Sequence, residues 1–147
     1  MTSKTMKWIL CIIASIVIIM LLLYLYTFIM TEGFYAYKYT NCKALHWNYP
    51  VHKFDTLSGK EWNSLRIYDV NASKLEELLA FAEMNAWKLL PLTDIEKDDS
   101  FLKDYPDQNI SLMKEAQTGY WKRGEGYLCI FDAESATLYI RSSSIIE

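Results

Sequence analysis

The sequence predicts an α+β protein in which one membrane-spanning helix precedes a single small domain. Three observations support this class: a long apolar run from Trp8 to Met30, an amphipathic helical stripe between Leu75 and Ala82, and several short strand patterns separated by turn residues. We expect a mainly antiparallel sheet with one main helix packed on it. The predicted divisions are a short basic tail (1–7), a transmembrane helix (8–30), a juxtamembrane segment (31–60) and the α+β domain (61–147).

The apolar run is long enough to cross a bilayer. Trp8–Met30 contains 23 residues without a charge, a proline or a glycine. A hydrocarbon core of about 30 Å needs roughly 20 helical residues, and unpaired backbone groups are not tolerated in lipid. Trp8 marks one interface. A set of aromatic residues predicts an interfacial belt on the other side: Tyr24, Tyr26, Phe28, Phe34, Tyr35, Tyr37 and Tyr39.

The alternative to a permanent anchor is a cleaved secretory signal. Signal peptides have apolar regions of about 7–15 residues and end in a small-x-small site. This run is longer, and Thr31-Glu32-Gly33 is a poor version of that site, so we predict an uncleaved anchor. The lysines that flank the run do not decide its orientation, because Lys4 and Lys7 precede it and Lys38 and Lys43 follow it. The basic head favours the N-in, C-out orientation, which places the domain outside the cytoplasm.

Charge limits the classes of partner. Lys4 and Lys7 are the only basic residues before position 31, so residues 31–147 carry 13 basic and 18 acidic side chains, a formal net charge of −5. Nucleic-acid binding relies on lysine and arginine that neutralise phosphates. We therefore expect no nucleic-acid partner.

The first half of the domain combines a strand with the best-marked helix. Phe34–Tyr39 alternates aromatic with small or polar residues and predicts an extended segment, and Ser58-Gly59 predicts a turn. Trp62–Val70 alternates as a strand does. Ser73 and Glu76 form a capping-box pattern at the start of the helix, and Asn85 is a typical C-terminal signal.

The second half predicts strands around a polar segment. Thr93–Asp107 reads as an acidic loop with a single helical turn, and Asn109–Gln117 as a short helix. Tyr127–Asp132 is nearly all apolar, which predicts a central strand covered on both faces. The other strand patterns are Trp87–Leu90, Tyr120–Lys122 and Thr137–Ser142. The predicted core comprises Leu65, Ile67, Leu75, Leu78, Leu79, Ala82, Trp87, Leu89, Leu128, Ile130, Leu138 and Ile140.

Motifs for catalysis, metals and cofactors are missing from the sequence. His46 and His52 are the only histidines, their spacing fits no zinc site, and no phosphate-binding glycine loop occurs. A calcium loop starting at Asp94 would need glycine at its sixth position and glutamate at its twelfth, where Asp99 and Tyr105 stand. We predict no metal and no cofactor. A small enzyme that uses His46 or His52 is the least favoured alternative.

Two cysteines of the domain, Cys42 and Cys129, could form a disulfide in an oxidising compartment. The alternative is a pair of buried thiols, because bridging demands a close approach of the two backbones. Asn71 and Asn109 begin glycosylation sequons, which matter only in a eukaryotic secretory context.

These patterns favour a membrane-anchored binding protein, such as an accessory subunit or an inhibitor or immunity-type factor, and no enzyme. Its partners would be the bilayer and another protein, and an acidic surface would steer a basic one. The alternative is a structural subunit that acts through its transmembrane helix. Candidate partner-binding residues are Asp94, Glu96, Asp98, Asp99, Asp104 and Asp107.

Overall fold

A computed structural model describes residues 3–103 and 108–145 and shows a long N-terminal helix joined to a six-stranded sheet. The helices are α1 (Ser3–Thr40), α2 (Ala72–Met84), α3 (Asp94–Lys97), α4 (Ser100–Lys103) and α5 (Gln108–Glu115), with a 3-10 helix at Lys43–Leu45. The strands are β1 (His52–Ser58), β2 (Glu61–Asp69), β3 (Lys88–Leu89), β4 (Gly119–Gly124), β5 (Tyr127–Asp132) and β6 (Thr137–Ile145). The α+β class is confirmed.

All neighbouring strands are antiparallel, in the order β1-β2-β6-β5-β4-β3. Tight turns at Gly59-Lys60 and Glu125-Gly126 join two of the hairpins, and both glycines have positive φ. The predicted turn at Ser58-Gly59 is confirmed, and the strands predicted at Tyr120–Lys122, Tyr127–Asp132 and Thr137–Ser142 are present as β4, β5 and β6. Strand β1 lies inside the segment 31–60, where the sequence predicted no strand.

Both faces of the sheet are covered, whereas the sequence predicted a helix on one face. We call the face that packs against the last turns of α1 and against α2 the anchor face. We call the opposite face, which packs against residues 90–103 and 108–116, the cleft face. Alternation along β5 shows the division: Leu128 and Ile130 lie on the cleft face, and Cys129 and Phe131 on the anchor face. The prediction that this strand is buried on both sides is therefore confirmed.

Helix α1 continues ten residues beyond the apolar run. The prediction that Phe34–Tyr39 is extended is wrong, because these residues are helical and Glu32, Ala36 and Thr40 are buried at helical spacing against the domain. The N-terminal part of α1 is exposed and has a mean hydropathy of 3.0 over its most apolar window, so it is long and apolar enough to cross a membrane.

The predicted aromatic belt divides at the end of the run. The side chains of Tyr24, Tyr26 and Phe28 are exposed. Tyr35 and Tyr39 instead pack against the core of the anchor face, so these two serve the fold of the domain.

Helix α2 begins two residues earlier than the capping-box pattern predicted. The N-cap is Asn71, whose side-chain oxygen accepts a hydrogen bond from the Lys74 amide, and the Ser73 hydroxyl donates to the same oxygen. The predicted end is confirmed, because the Asn85 amide bonds the Phe81 carbonyl. Asparagine and serine are about equally favourable N-caps, so the sequence pattern does not decide between Asn71 and Ser73.

The core prediction holds with three exceptions. Leu75 and Leu79 are only partly buried, and Leu89 is 69% exposed. Leu89 lies in β3, which is a two-residue edge strand, so its side chain lacks a covering layer. The polar segment after it holds two short helices, α3 and α4, where one helical turn was predicted.

Candidate functional site

The acidic segment lies beside the β3 edge of the sheet. Of the six predicted partner-binding residues, Asp94 and Asp98 are exposed, Glu96 and Asp99 are half-buried, and Asp104 and Asp107 lie outside the described residues. The structure connects the segment to β3 through an ion pair between Lys88 Nζ and Glu96 Oε1 at 3.3 Å. The four described acidic side chains therefore fall into two exposed ones and two with internal roles.

Glu96 stabilises the start of α3. Its carboxylate accepts a hydrogen bond from the Thr93 amide at 2.9 Å, and the Thr93 hydroxyl accepts one from the Glu96 amide. The bond from the Thr93 amide is the main reason why the pKa of Glu96 lies below its usual value, and Lys88 adds to the effect. Glu96 is thus part of a capping box, which the sequence analysis did not identify here.

Asp99 holds α4 and β4 together. One carboxylate oxygen accepts from the Phe101 amide at 2.8 Å, and the other pairs with Arg123 Nε at 2.9 Å. The Arg123 guanidinium also lies 4.4 Å from the centre of the Phe101 ring. These contacts leave Asp94 and Asp98 as the predicted acidic residues best placed to meet a partner.

A large apolar side chain accompanies the exposed acids. Ile95, between Asp94 and Glu96, is 85% exposed. Apolar residues surrounded by charged ones are typical of protein interfaces. We call Asp94, Ile95 and Asp98 the distal patch.

A second feature, not predicted from the sequence, is a polar cleft of about 780 Å³ at the β1–β2 end of the cleft face. Its lining side chains are mostly hydroxyls and amides with both signs of charge, including Asn63, Glu61, Arg123 and Arg141. Among the described residues that line it there is no histidine or cysteine. Arg141, a cation that directly follows the apolar residues Leu138-Tyr139-Ile140 in β6, is the sequence signal that could have indicated it.

The third feature is a buried ionic junction between α1 and the sheet. Glu32 accepts from Arg66 Nε at 3.0 Å and from Lys53 Nζ at 2.6 Å, and Arg66 is also 3.4 Å from Asp55. The Arg66 guanidinium lies 3.7 Å from the centre of the Tyr35 ring. These residues, Glu32, Tyr35, Lys53, Asp55 and Arg66, form the junction.

Electrostatics keep the junction ionised. Burial opposes the charge on Glu32, but the hydrogen bonds from Arg66 and Lys53 outweigh it, so the pKa of this carboxyl lies below its usual value. Burial likewise opposes the charge on Arg66, and its bond to Glu32 holds the pKa of the guanidinium above its usual value. Glu32 is the first charged residue after the apolar run, and this position is the sequence signal that could have indicated the junction.

Cys42 and Cys129 lie in an apolar cluster, and His46 packs against aromatic rings. Cys42 and Cys129 are free thiols buried in the same cluster on the anchor face, and their pairing stays a prediction. Burial raises the pKa of both thiols, that of Cys129 to about 12. The ring of His46 packs against Phe34 and Tyr37, at centroid distances of 4.9 and 4.1 Å. Within residues 3–103 and 108–145, no group of three metal-binding side chains comes together.

Comparisons give no relative from which a site could be transferred. No protein-family model, no curated protein and no solved structure matches this chain. The distal patch, the cleft and the junction therefore rest on their own geometry.

Proposed function

We propose that this protein is a single-pass membrane protein whose domain lies outside the cytoplasm and binds another protein, as an accessory subunit or an inhibitor or immunity-type factor does. The observation that carries the proposal is that Glu32 and Ala36, which directly follow the apolar run on the same helix, are buried in the domain. Cleavage at Thr31-Glu32-Gly33 would remove the carboxylate that pairs with Arg66. A permanent anchor keeps the junction intact.

The distal patch is the proposed contact with the partner. It combines the exposed acids Asp94 and Asp98 with the exposed side chain of Ile95, beside the sheet edge farthest from β1. A basic partner would be steered by the acids and would bury the apolar side chain. The lack of catalytic motifs in the sequence and the chemistry of the cleft favour binding over catalysis.

The experiment is site-specific photocrosslinking of the full-length protein in its own membrane. A photoreactive amino acid replaces Ile95, and the expected result is one discrete adduct. The charge-reversal variant Asp94→Lys/Asp98→Lys should abolish that adduct. The matched control is Glu76→Lys/Glu83→Lys, which reverses two exposed acids on α2 and should leave the adduct in place.

Two outcomes would reject the assignment of the distal patch: an adduct that survives the reversal at Asp94 and Asp98, or one that disappears equally in the control. Orientation is tested separately with a C-terminal reporter that is active on only one side of the membrane. A reporter active only in the cytoplasm would contradict the extracytoplasmic placement.

A further inference from the structure

Contacts of α1 cross the sheet strand by strand. Glu32 meets Lys53 of β1 and Arg66 of β2 at 2.6 and 3.0 Å. One turn later the Tyr35 hydroxyl lies 2.7 Å from Ser142 Oγ of β6. One further turn on, the ring of Tyr39 lies 5.1 Å from that of Tyr127 in β5. The helix therefore runs across the strands, and the strands follow one another along its axis.

This crossing gives each strand a height above the membrane. Met30 ends the apolar run, and Glu32 lies two residues beyond it, a rise of about 3 Å. Since Glu32 contacts β1, this strand lies at the level where the span ends. Strand β3 is five strand spacings away, or about 24 Å. Transmembrane helices tilt by only about 20° on average, so the order of heights is kept.

The lowest level of the domain carries exposed apolar side chains. Strand β1 is one edge of the sheet, and most of its residues are exposed. The loop before it is fixed against α1: the Trp47 amide donates to the Gly33 carbonyl at 2.7 Å, and a Cβ at Gly33 would lie 2.9 Å from the Trp47 ring. The exposed large side chains at this level are Trp47, Tyr49, Val51, Phe54 and Leu57, each between 42% and 57% exposed.

We propose that β1 and the loop before it lie edge-on in the lipid headgroup layer. This inference rests on the membrane anchor of the proposed function. Tryptophan and tyrosine prefer the membrane interface, and the exposed Lys60 suits contact with phosphates. An exposed strand edge is otherwise a template for unwanted pairing, and the lipid surface covers it. In this arrangement β1 contacts the lipid layer, and the distal patch faces away from the membrane.

The chain supplies a matched pair of positions for a test. Leu57 in β1 and Leu89 in β3 are both exposed leucines on edge strands, at opposite edges of the sheet. Cys11 is exposed, whereas Cys42 and Cys129 are buried thiols with raised pKa values. In a Cys11→Ser background, Leu57→Cys and Leu89→Cys therefore each introduce one readily labelled site.

The full-length variants are labelled with an environment-sensitive fluorophore and reconstituted into phosphatidylcholine vesicles that contain lipids with a nitroxide near the headgroup. The label at position 57 should lose most of its emission, and the label at 89 should keep nearly all of it. Phe54→Cys places a label on the opposite side of the same strand, and it should be quenched as strongly as the label at 57.

Equal quenching at 57 and 89, or quenching at only one of 54 and 57, would overturn the edge-on arrangement. A label on the native Cys11, inside the apolar run, separates the two proposals when its quencher lies deep in the acyl chains. If the label on Cys11 is quenched while the labels at 54 and 57 are not, the membrane anchor is supported and the edge-on arrangement is rejected. A protein that covers β1 would give this result. If the label on Cys11 is not quenched, the anchor is rejected as well.

Discussion

The two faces of the sheet are covered by different physical means. On the anchor face, α1 docks through a buried ion pair, Glu32–Arg66, set among apolar contacts. On the cleft face, the segment 90–116 packs through an apolar cluster, and its ion pairs, such as Lys88–Glu96, lie nearer the surface. Apolar burial is non-directional, whereas a buried ion pair requires one geometry. The anchor face thus fixes how the domain is oriented on its helix.

The largest expected effect is the loss of the junction. Glu32→Ala would leave Arg66 buried without its main carboxylate partner, which should cost about 3–5 kcal/mol of unfolding free energy. Denaturant unfolding of the full-length protein in nanodiscs, followed by tryptophan fluorescence, measures it. Lys88→Ala removes the exposed pair on the other side and should cost at most about 1 kcal/mol. Equal losses would remove the distinction between the faces.

Shortening a buried side chain on either face should cost nearly as much unfolding free energy. Only on the anchor face should that cost depend on Glu32. Ile140 lies on the anchor face, directly opposite Arg66 in the register, and Ile130 lies on the cleft face; both are fully buried. Each change to alanine should cost about 2–5 kcal/mol. Combined with Glu32→Ala, Ile130→Ala should add to within about 0.5 kcal/mol, whereas Ile140→Ala should deviate from additivity. Additivity for both would contradict a face-specific junction.

A smaller effect tests the start of α2 on the anchor face. Asn71→Ala removes the side chain that accepts from the Lys74 amide and should cost about 1 kcal/mol. Ser73→Ala removes only a hydroxyl that donates to Asn71, so its cost in the same unfolding assay should be smaller. A larger loss for Ser73→Ala would favour the capping box predicted from the sequence.

Local patterns predicted the parts of the fold in which local and tertiary preferences agree. The run Tyr127–Asp132 was identified with the bounds that β5 has, because a continuous apolar strand between turn residues has few alternatives. Gly59 likewise marked a turn, although the strand before it was not predicted. The N-terminus of α2 was misplaced because Asn71 and Ser73 are both good caps, and only the folded geometry chooses between them.

Tertiary contacts explain what the sequence patterns missed. Phe34–Tyr39 alternates like a strand, yet it continues α1 because Ala36 and Thr40 fit against the sheet at helical spacing. Strand β1 has exposed side chains on both faces and so carries no burial pattern. Within the predicted acidic site, the internal roles of Glu96 and Asp99 depend on Lys88 and Arg123, whose proximity no local pattern contains.

The smallest expected effect is a pH dependence of the junction. Glu32 has a folded-state pKa below its usual value of 4.5, so below that value the unfolded chain binds more protons than the folded one. Stability from this group is complete above about pH 4.5 and is lost as the pH falls through the folded-state pKa. Unfolding free energies measured across this range should decline less steeply for Glu32→Gln than for the wild type. Glu96→Gln removes a carboxyl whose pKa is also lowered, but near the surface, and should leave most of the decline in place. If Glu32→Gln keeps the wild-type slope while Glu96→Gln flattens it, the acid-sensitive contact belongs to the cleft side, and the contrast between the two faces reverses.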